Sequence, residues 1–176
     1  VTDPTVSTVS SPTATEGSPL AFLITLSGAT NRSTDYAYTL TGTATSADYT
    51  STLTTAMCDN SVTVSGATGS GGTFTVPSGV SSFTVTDPTT LDTTDEADET
   101  VILNLPGSVS GTGTITDDDA PPTVSISDAT ESFGTVTHTL TLSQASGKTI
   151  TVQVDSANGS KTAGTHYTAI TAQTVT

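Results

Sequence analysis

Short runs in which apolar residues alternate with threonine constrain this chain more than any other feature. Val136-Thr137-His138-Thr139-Leu140-Thr141-Leu142 and Thr149-Ile150-Thr151-Val152-Gln153-Val154 put every second side chain on one face, the period of a half-buried β-strand. The same reading holds for 20–26, 35–40, 72–76, 82–86, 100–105 and 111–116, separated by Gly, Ser, Asn, Asp and Pro clusters. About a quarter of all residues are Thr, whose branched Cβ favours extended backbone. No stretch sustains a helical period. Many short strands, frequent turn signals and too few residues for helical crossovers predict an all-β, antiparallel sandwich with Greek-key links.

The core of such a sandwich must be thin. Apolar residues make up about 38% of the chain once Gly is counted and Tyr is not, below the usual 45 to 50%. Cys58 is the only cysteine, so no internal disulfide compensates. Its neighbours Met57 and Asp59 offer nothing to activate a thiolate, and it reads as a half-buried loop thiol.

Pro4-Thr5-Val6-Ser7 recurs as Pro122-Thr123-Val124-Ser125, and Ala14-Thr15-Glu16 as Ala129-Thr130-Glu131. Leu26-Ser27 matches Leu142-Ser143, and Thr45-Ser46-Ala47-Asp48-Tyr49 matches the segment from Thr162 to Tyr167. The chain is therefore a tandem array, with a complete sandwich expected over 1–120 and the N-terminal half of a second over 121–176. The connector Ala120-Pro121-Pro122 has no Gly/Ser tract and predicts a stiff joint.

Charge is distributed as unevenly as the repeat. The net charge is −14, with Arg32, Lys148 and Lys161 the only Lys or Arg, and nine of the seventeen acids fall between 87 and 119. Nucleic acid and anionic membrane surfaces need a basic footprint and are excluded as partners. The longest apolar stretches, Phe22-Leu23-Ile24 and Val101-Ile102-Leu103, are too short to insert in a bilayer. The start Val1-Thr2-Asp3-Pro4 has no basic region or apolar core, and no signal peptide is expected in it.

Three adjacent carboxylates, Asp117-Asp118-Asp119, close the strand-like run Gly113-Thr114-Ile115-Thr116. They repel each other by roughly 3 kcal/mol per pair at ~5 Å in an effective dielectric near 20, a cost that a bound cation removes. Oxygen ligands with no Cys or His nearby suit a hard ion, and many flexible carboxylates suit Ca²⁺ better than Mg²⁺. The alternative is a solvated acidic loop.

Thr15-Glu16-Gly17, Ser46-Ala47-Asp48-Tyr49, Asp95-Glu96-Ala97-Asp98-Glu99-Thr100 and the run from Gly113 to Asp119 together resemble the Calx-beta repeat in order and spacing. With Val76 to Val85, the Thr-rich version resembles repeats of giant RTX-type bacterial adhesins. The resemblance implies an immunoglobulin-like seven-stranded sandwich that binds several Ca²⁺ ions at one end. Carried over residue by residue, the implied metal ligands are Glu16, Asp48, Asp92, Glu96, Glu99, Asp117, Asp118 and Asp119. One departure stands out: the family loop usually opens with two aspartates, and Leu91 occupies the first position beside Asp92. In the second copy Glu131 matches Glu16, but His166 stands where Asp48 does in the first, and the remaining ligands are missing.

Other polar groups read as structural. His138 lies on the apolar face of an alternating strand, and His166 has no second His or Cys at ligand spacing. Asp87, Asp95 and Asp98 are either further oxygens for the ion or solvated loop positions. Asn31-Arg32-Ser33 and Asn158-Gly159-Ser160 fit a glycosylation sequon that is common by chance.

The expected function is that of a Ca²⁺-binding extender in a large extracellular bacterial adhesin, for cell adhesion and biofilm, with Ca²⁺ folding the sandwich and stiffening its junction. Alternatives are a Ca²⁺-dependent module for a sugar or peptide, half of a split domain carrying such a module, or a regulatory Ca²⁺ sensor. The absence of Trp weighs against a sugar-stacking platform. No nucleophile elbow precedes a helix, and no enzyme is expected. The expected partners are neighbouring repeats of the same polypeptide, with 122–176 open to homodimer formation or strand complementation.

Overall fold

A computed structural model describes residues 2–129 and 131–176; Val1 and Thr130, the latter part of the repeated Ala-Thr-Glu, lie outside the described residues. The chain divides into two compact units, Val1–Thr93 with Ala97–Asp119, and Thr94–Glu96 with Ala120–Thr176. Both are all-β. Among the described residues the one helical element is a single 3-10 turn, Thr55–Met57.

The first unit is built from β1 (Val6–Val9), β2 (Thr13–Thr15), β3 (Leu20–Leu26), β4 (Thr34–Gly42), β5 (Thr63–Thr68), β6 (Gly71–Val76), β7 (Ser82–Asp87), β8 (Glu99–Leu105) and β9 (Val109–Thr116). They form a three-stranded sheet in the order β1-β3-β7 and a six-stranded sheet in the order β2-β9-β8-β4-β6-β5. Every pairing is antiparallel except β2 with β9, which is parallel.

Alternation decides which side chains meet. Leu20, Phe22, Ile24 and Leu26 of β3 and Phe83 and Val85 of β7 are buried, with Tyr38, Phe74, Val76, Val101 and Leu103 from the larger sheet, as the period of two requires. Phe74 stacks on Tyr38 at 4.3 Å within its sheet and meets Phe83 of the other edge-on at 5.5 Å. At Gly113 of β9 side chains of the facing β3 come close to the backbone. A Cβ there would stand 2.7 Å from the Phe22 ring and 2.9 Å from Leu20, so only glycine admits both side chains.

The second unit contains β10 (Val124–Ile126), β11 (Glu131–Ser132), β12 (Thr135–Val136), β13 (Leu140–Leu142), β14 (Val152–Val154) and β15 (Gln173–Val175). These form three separate two-stranded ladders, β10-β13, β11-β12 and β14-β15. The strand expected over 136–142 is interrupted at 137–139, and that expected over 149–154 is reduced to β14. No described residue between 120 and 176 is buried.

The repeat nevertheless reappears in the backbone. Val6 pairs with Leu26 on β1 and β3, and Val124 pairs with Leu142 on β10 and β13. In the first copy the Thr5 N–H donates to Ser27 Oγ at 3.0 Å and the Ser27 N–H to Thr5 O at 2.8 Å. In the second, Thr123 and Ser143 make the same two bonds, both at 2.9 Å. A second serine clamp, Ser10 on Leu23, recurs as Ser127 on Thr139. The copies differ by one residue because β1 carries a register shift between Val6 and Thr8 that β10 lacks.

Candidate metal centre

The parallel pairing of β2 with β9 creates the candidate site. It sets Thr15 beside Thr116, and the Glu16 N–H donates to Thr116 O at 3.2 Å, so Glu16 and Asp117 leave the sheet side by side. One carboxylate oxygen from each of Glu16, Asp117 and Asp119 lies within 4.8 Å of the other two. Extended backbone alternates after β9, so Asp117 and Asp119 are half-buried while Asp118 is exposed.

Neighbouring backbone orders the group. The Asp119 N–H donates to Asp117 Oδ1 at 3.4 Å, and the Asp117 N–H donates to Asp98 Oδ1 at 3.2 Å. Asp98, itself exposed, is thus tied by a hydrogen bond to the segment that carries the cluster. Burial, followed by the charges of Asp92 and Asp117, raises the Glu16 pKa; a hydrogen bond from the Asp92 backbone opposes this, and Asp119 adds to the rise. A carboxyl whose pKa is raised by neighbouring carboxylates lies in a site with an excess of negative charge. Gly17, at φ +73°, turns the chain away from Glu16, and a Cβ on it would meet Leu91 Cβ at 2.9 Å. Leu91 thus faces the glycine of the Thr15-Glu16-Gly17 run.

Asp48 and Glu99 form a second acidic pair. The Thr45 N–H and hydroxyl both donate to Asp48 Oδ2, at 2.5 and 2.8 Å, and Glu99, the first residue of β8, shares a side-chain hydrogen bond with Asp48. Burial alone would raise the Asp48 pKa, but the bonds from Thr45 and the one with Glu99 outweigh it and hold the carboxyl below its ordinary range. A hydrogen bond between two carboxyls needs a proton, or a cation in its place.

The remaining acids go elsewhere. Glu96 and Asp95 belong to the second unit. Glu96 Oε1 lies where a Cβ on Gly147 would approach it to 2.9 Å. Asp95 is buried, with Lys148 Nζ at 2.6 Å and Ser146 Oγ at 2.9 Å, and the Lys148 hydrogen bond lowers its pKa. Asp87 is buried at the end of β7. Of the eight residues expected as ligands, Glu16, Asp117 and Asp119 come together, Asp92 borders them, and Asp48 sits with Glu99. Asp118 faces solvent and Glu96 is held in the second unit.

The donor set fits a hard cation. All its ligand atoms are oxygens, and Glu16 Oε2 is buried without a hydrogen-bond partner among the described residues, a cost that coordination would remove. The other candidate groups are structural. Burial, then Asp59, pushes the Cys58 thiol up to about 11, which makes it unreactive. His138 Nδ1 lies 2.8 Å from Ser127 O. His166 takes over the work of Asp48, its Nδ1 accepting the Thr162 N–H at 3.2 Å where Asp48 accepts that of Thr45. The second copy closes the same turn without a carboxylate.

No helix among the described residues is long and apolar enough to cross a membrane. No family model and no curated protein matches the chain. Among solved structures it is similar to the sixth cohesin of scaffoldin B from Acetivibrio cellulolyticus, determined in complex with a Cel5 dockerin mutant. The identity is 10% and the TM-score 0.38, over 65% of this chain and 100% of that one.

Proposed function

We propose that residues 1–120 form a Ca²⁺-stabilised sandwich that serves as an extender repeat of a large extracellular bacterial adhesin. The observation that carries this reading is the convergence of Glu16, Asp117 and Asp119 from two strand ends that only the folded sheet brings together. In the unfolded chain Glu16 is a hundred residues from its partners, so an ion held by all three favours the folded form. Binding at 100 times the dissociation constant adds about 2.7 kcal/mol per site, a large share of the 5 to 15 typical of a domain. Ca²⁺ at millimolar levels outside cells supplies this; the low Ca²⁺ of cytosol does not. The tandem copies, the short Ala120-Pro121-Pro122 connector without a Gly/Ser tract and the acidic Thr-rich composition support an array of such modules.

Titration calorimetry of the full chain with Ca²⁺, repeated on Glu16→Gln and Asp117→Asn, tests the reading. Saturable binding at tens of micromolar or weaker, lost or weakened in both variants, supports a structural ion. Heats of dilution alone would refute it, and submicromolar affinity would favour the regulatory sensor.

A further inference from the structure

Asp87 ends β7 in phase with Phe83 and Val85, and all three are buried. Its side chain is therefore directed into the core of the sandwich. Neither carboxylate oxygen has a hydrogen-bond partner among the described residues. Residue Leu20 lies opposite it on β3, a strand with no titratable side chain. The titratable groups that feel its charge are Tyr38 on β4 and Tyr49 beyond it; Cys58 acts on Tyr38, and Asp48 on Tyr49. Burial, followed by Cys58 and Asp87, pushes the Tyr38 phenol up to about 12, and burial, then Asp87 and Asp48, raises Tyr49 as well. Both tyrosines stay neutral over the range in which a carboxyl titrates.

No basic side chain of the first unit is placed to neutralise Asp87. Arg32 is the only basic side chain between residues 1 and 119, and it is exposed and paired with Asp3 at 2.6 Å. A buried carboxylate without a counter-charge is costly, and the available escape is to bind a proton. We propose that Asp87 is a proton-operated latch: neutral, it holds the end of β7 between the sheets, and ionised, it releases that end and the Pro88–Thr93 segment that carries Asp92. Burial pushes the Asp87 carboxyl from 3.8 up to about 7, which places the transition near neutrality.

The sign follows from proton binding. Between about 4 and 7 the folded state holds a proton that the unfolded state has lost, so stability from this group is greatest below its unfolded value. It falls as pH rises and levels off above about 7, with the unfolding constant growing up to about tenfold per pH unit in the window.

The test measures unfolding of the full chain and of Asp87→Asn in chelator from pH 5 to 8, so that other carboxylates cancel in the comparison. The ratio of the two unfolding constants is expected to change by about fiftyfold between pH 5 and 7, with amide exchange at 87–93, corrected for intrinsic pH dependence, accelerating only in the unmodified chain. Parallel profiles would overturn the proposal. So would recovery of stability at pH 8 by sodium or potassium over a bulky organic cation, since the carboxylate would then be held by an ion. Should Asp87→Asn fail to fold, the carboxyl ¹³C resonance of Asp87 in the unmodified chain decides: a midpoint near neutrality supports the latch, and one near 4 overturns it.

Discussion

The two copies contain the same strand pair and differ in what lies over it. Val6 and Leu26 of the first copy are 6% and 4% exposed; Val124 and Leu142, in the same register with the same serine clamps, are 41% and 40% exposed. Local sequence is therefore enough to set register, through the Ser27 and Ser143 hydroxyls and the apolar positions that face each other. Burial comes from strands far along the chain. In the first unit β3 has a second neighbour, β7, and β9 lies against it from the other sheet. Among the described residues the second unit has no equivalent of these strands, and Ile126, Phe133, Val136, Ile170 and Val175 are exposed as well.

The largest effect expected from this contrast is in hydrogen exchange. Core amides of β3, β4 and β8 should be protected by the global stability of the first unit, a factor of ~10³ or more for 5 kcal/mol and above. Amides of 122–176 should exchange with far less protection, and the chain should associate as its concentration is raised. A monomer with both regions equally protected would break the comparison and show that the second copy needs no further strands.

Core truncation sharpens the same point. Phe74→Ala removes a side chain that touches both Tyr38 and Phe83 and should cost about 3 to 5 kcal/mol in denaturant unfolding. Leu142→Ala, at a 40% exposed position, should cost less than ~1 kcal/mol. Similar costs would mean that Leu142 is covered in solution.

Removal of Ca²⁺ comes next in size. A chelator should lower the first unit's melting temperature by about 10 °C for one saturated site and leave exchange in 122–176 unchanged. Asp117→Asn should reproduce most of this loss and Asp118→Asn only part, because Asp118 faces solvent. Equal melting curves with and without Ca²⁺ would remove the ion from the account of stability.

The sequence signals that worked and those that failed have physical causes. Alternation identifies β3, β4 and β6 to β9 because each runs unbroken past a core. It misses β1 and β5 because both carry register shifts, between Val6 and Thr8 and between Ser65 and Thr68, and a one-residue insertion destroys a period of two. It misses β2 because three residues are too few to show a period. The acids were all visible, but not their grouping: Glu16 meets Asp117 through a parallel pairing across a hundred residues, and Glu96 turns to Gly147. The Asp87 position was open to the sequence, since 83, 85 and 87 continue one face. Its acidic neighbours in the chain suggested a loop.

The smallest expected effect separates turn closure from ion binding. Asp48 accepts hydrogen bonds from Thr45 in the first copy, and His166 accepts from Thr162 in the second. If an imidazole is enough to close this turn, Asp48→His should change the stability of the first unit in chelator by less than ~1 kcal/mol, since the bond from the Thr45 backbone can be remade. The same variant removes a carboxylate and its hydrogen bond with Glu99. It should therefore weaken Ca²⁺ binding by about tenfold or more, the equivalent of a lost charged ligand worth at least ~1.4 kcal/mol. Measured at neutral pH, Ca²⁺ affinity and chelator stability should thus separate. Loss of stability in chelator without loss of affinity would make Asp48 a turn residue only, and the first copy would then differ from the second at this position in side-chain chemistry but not in role.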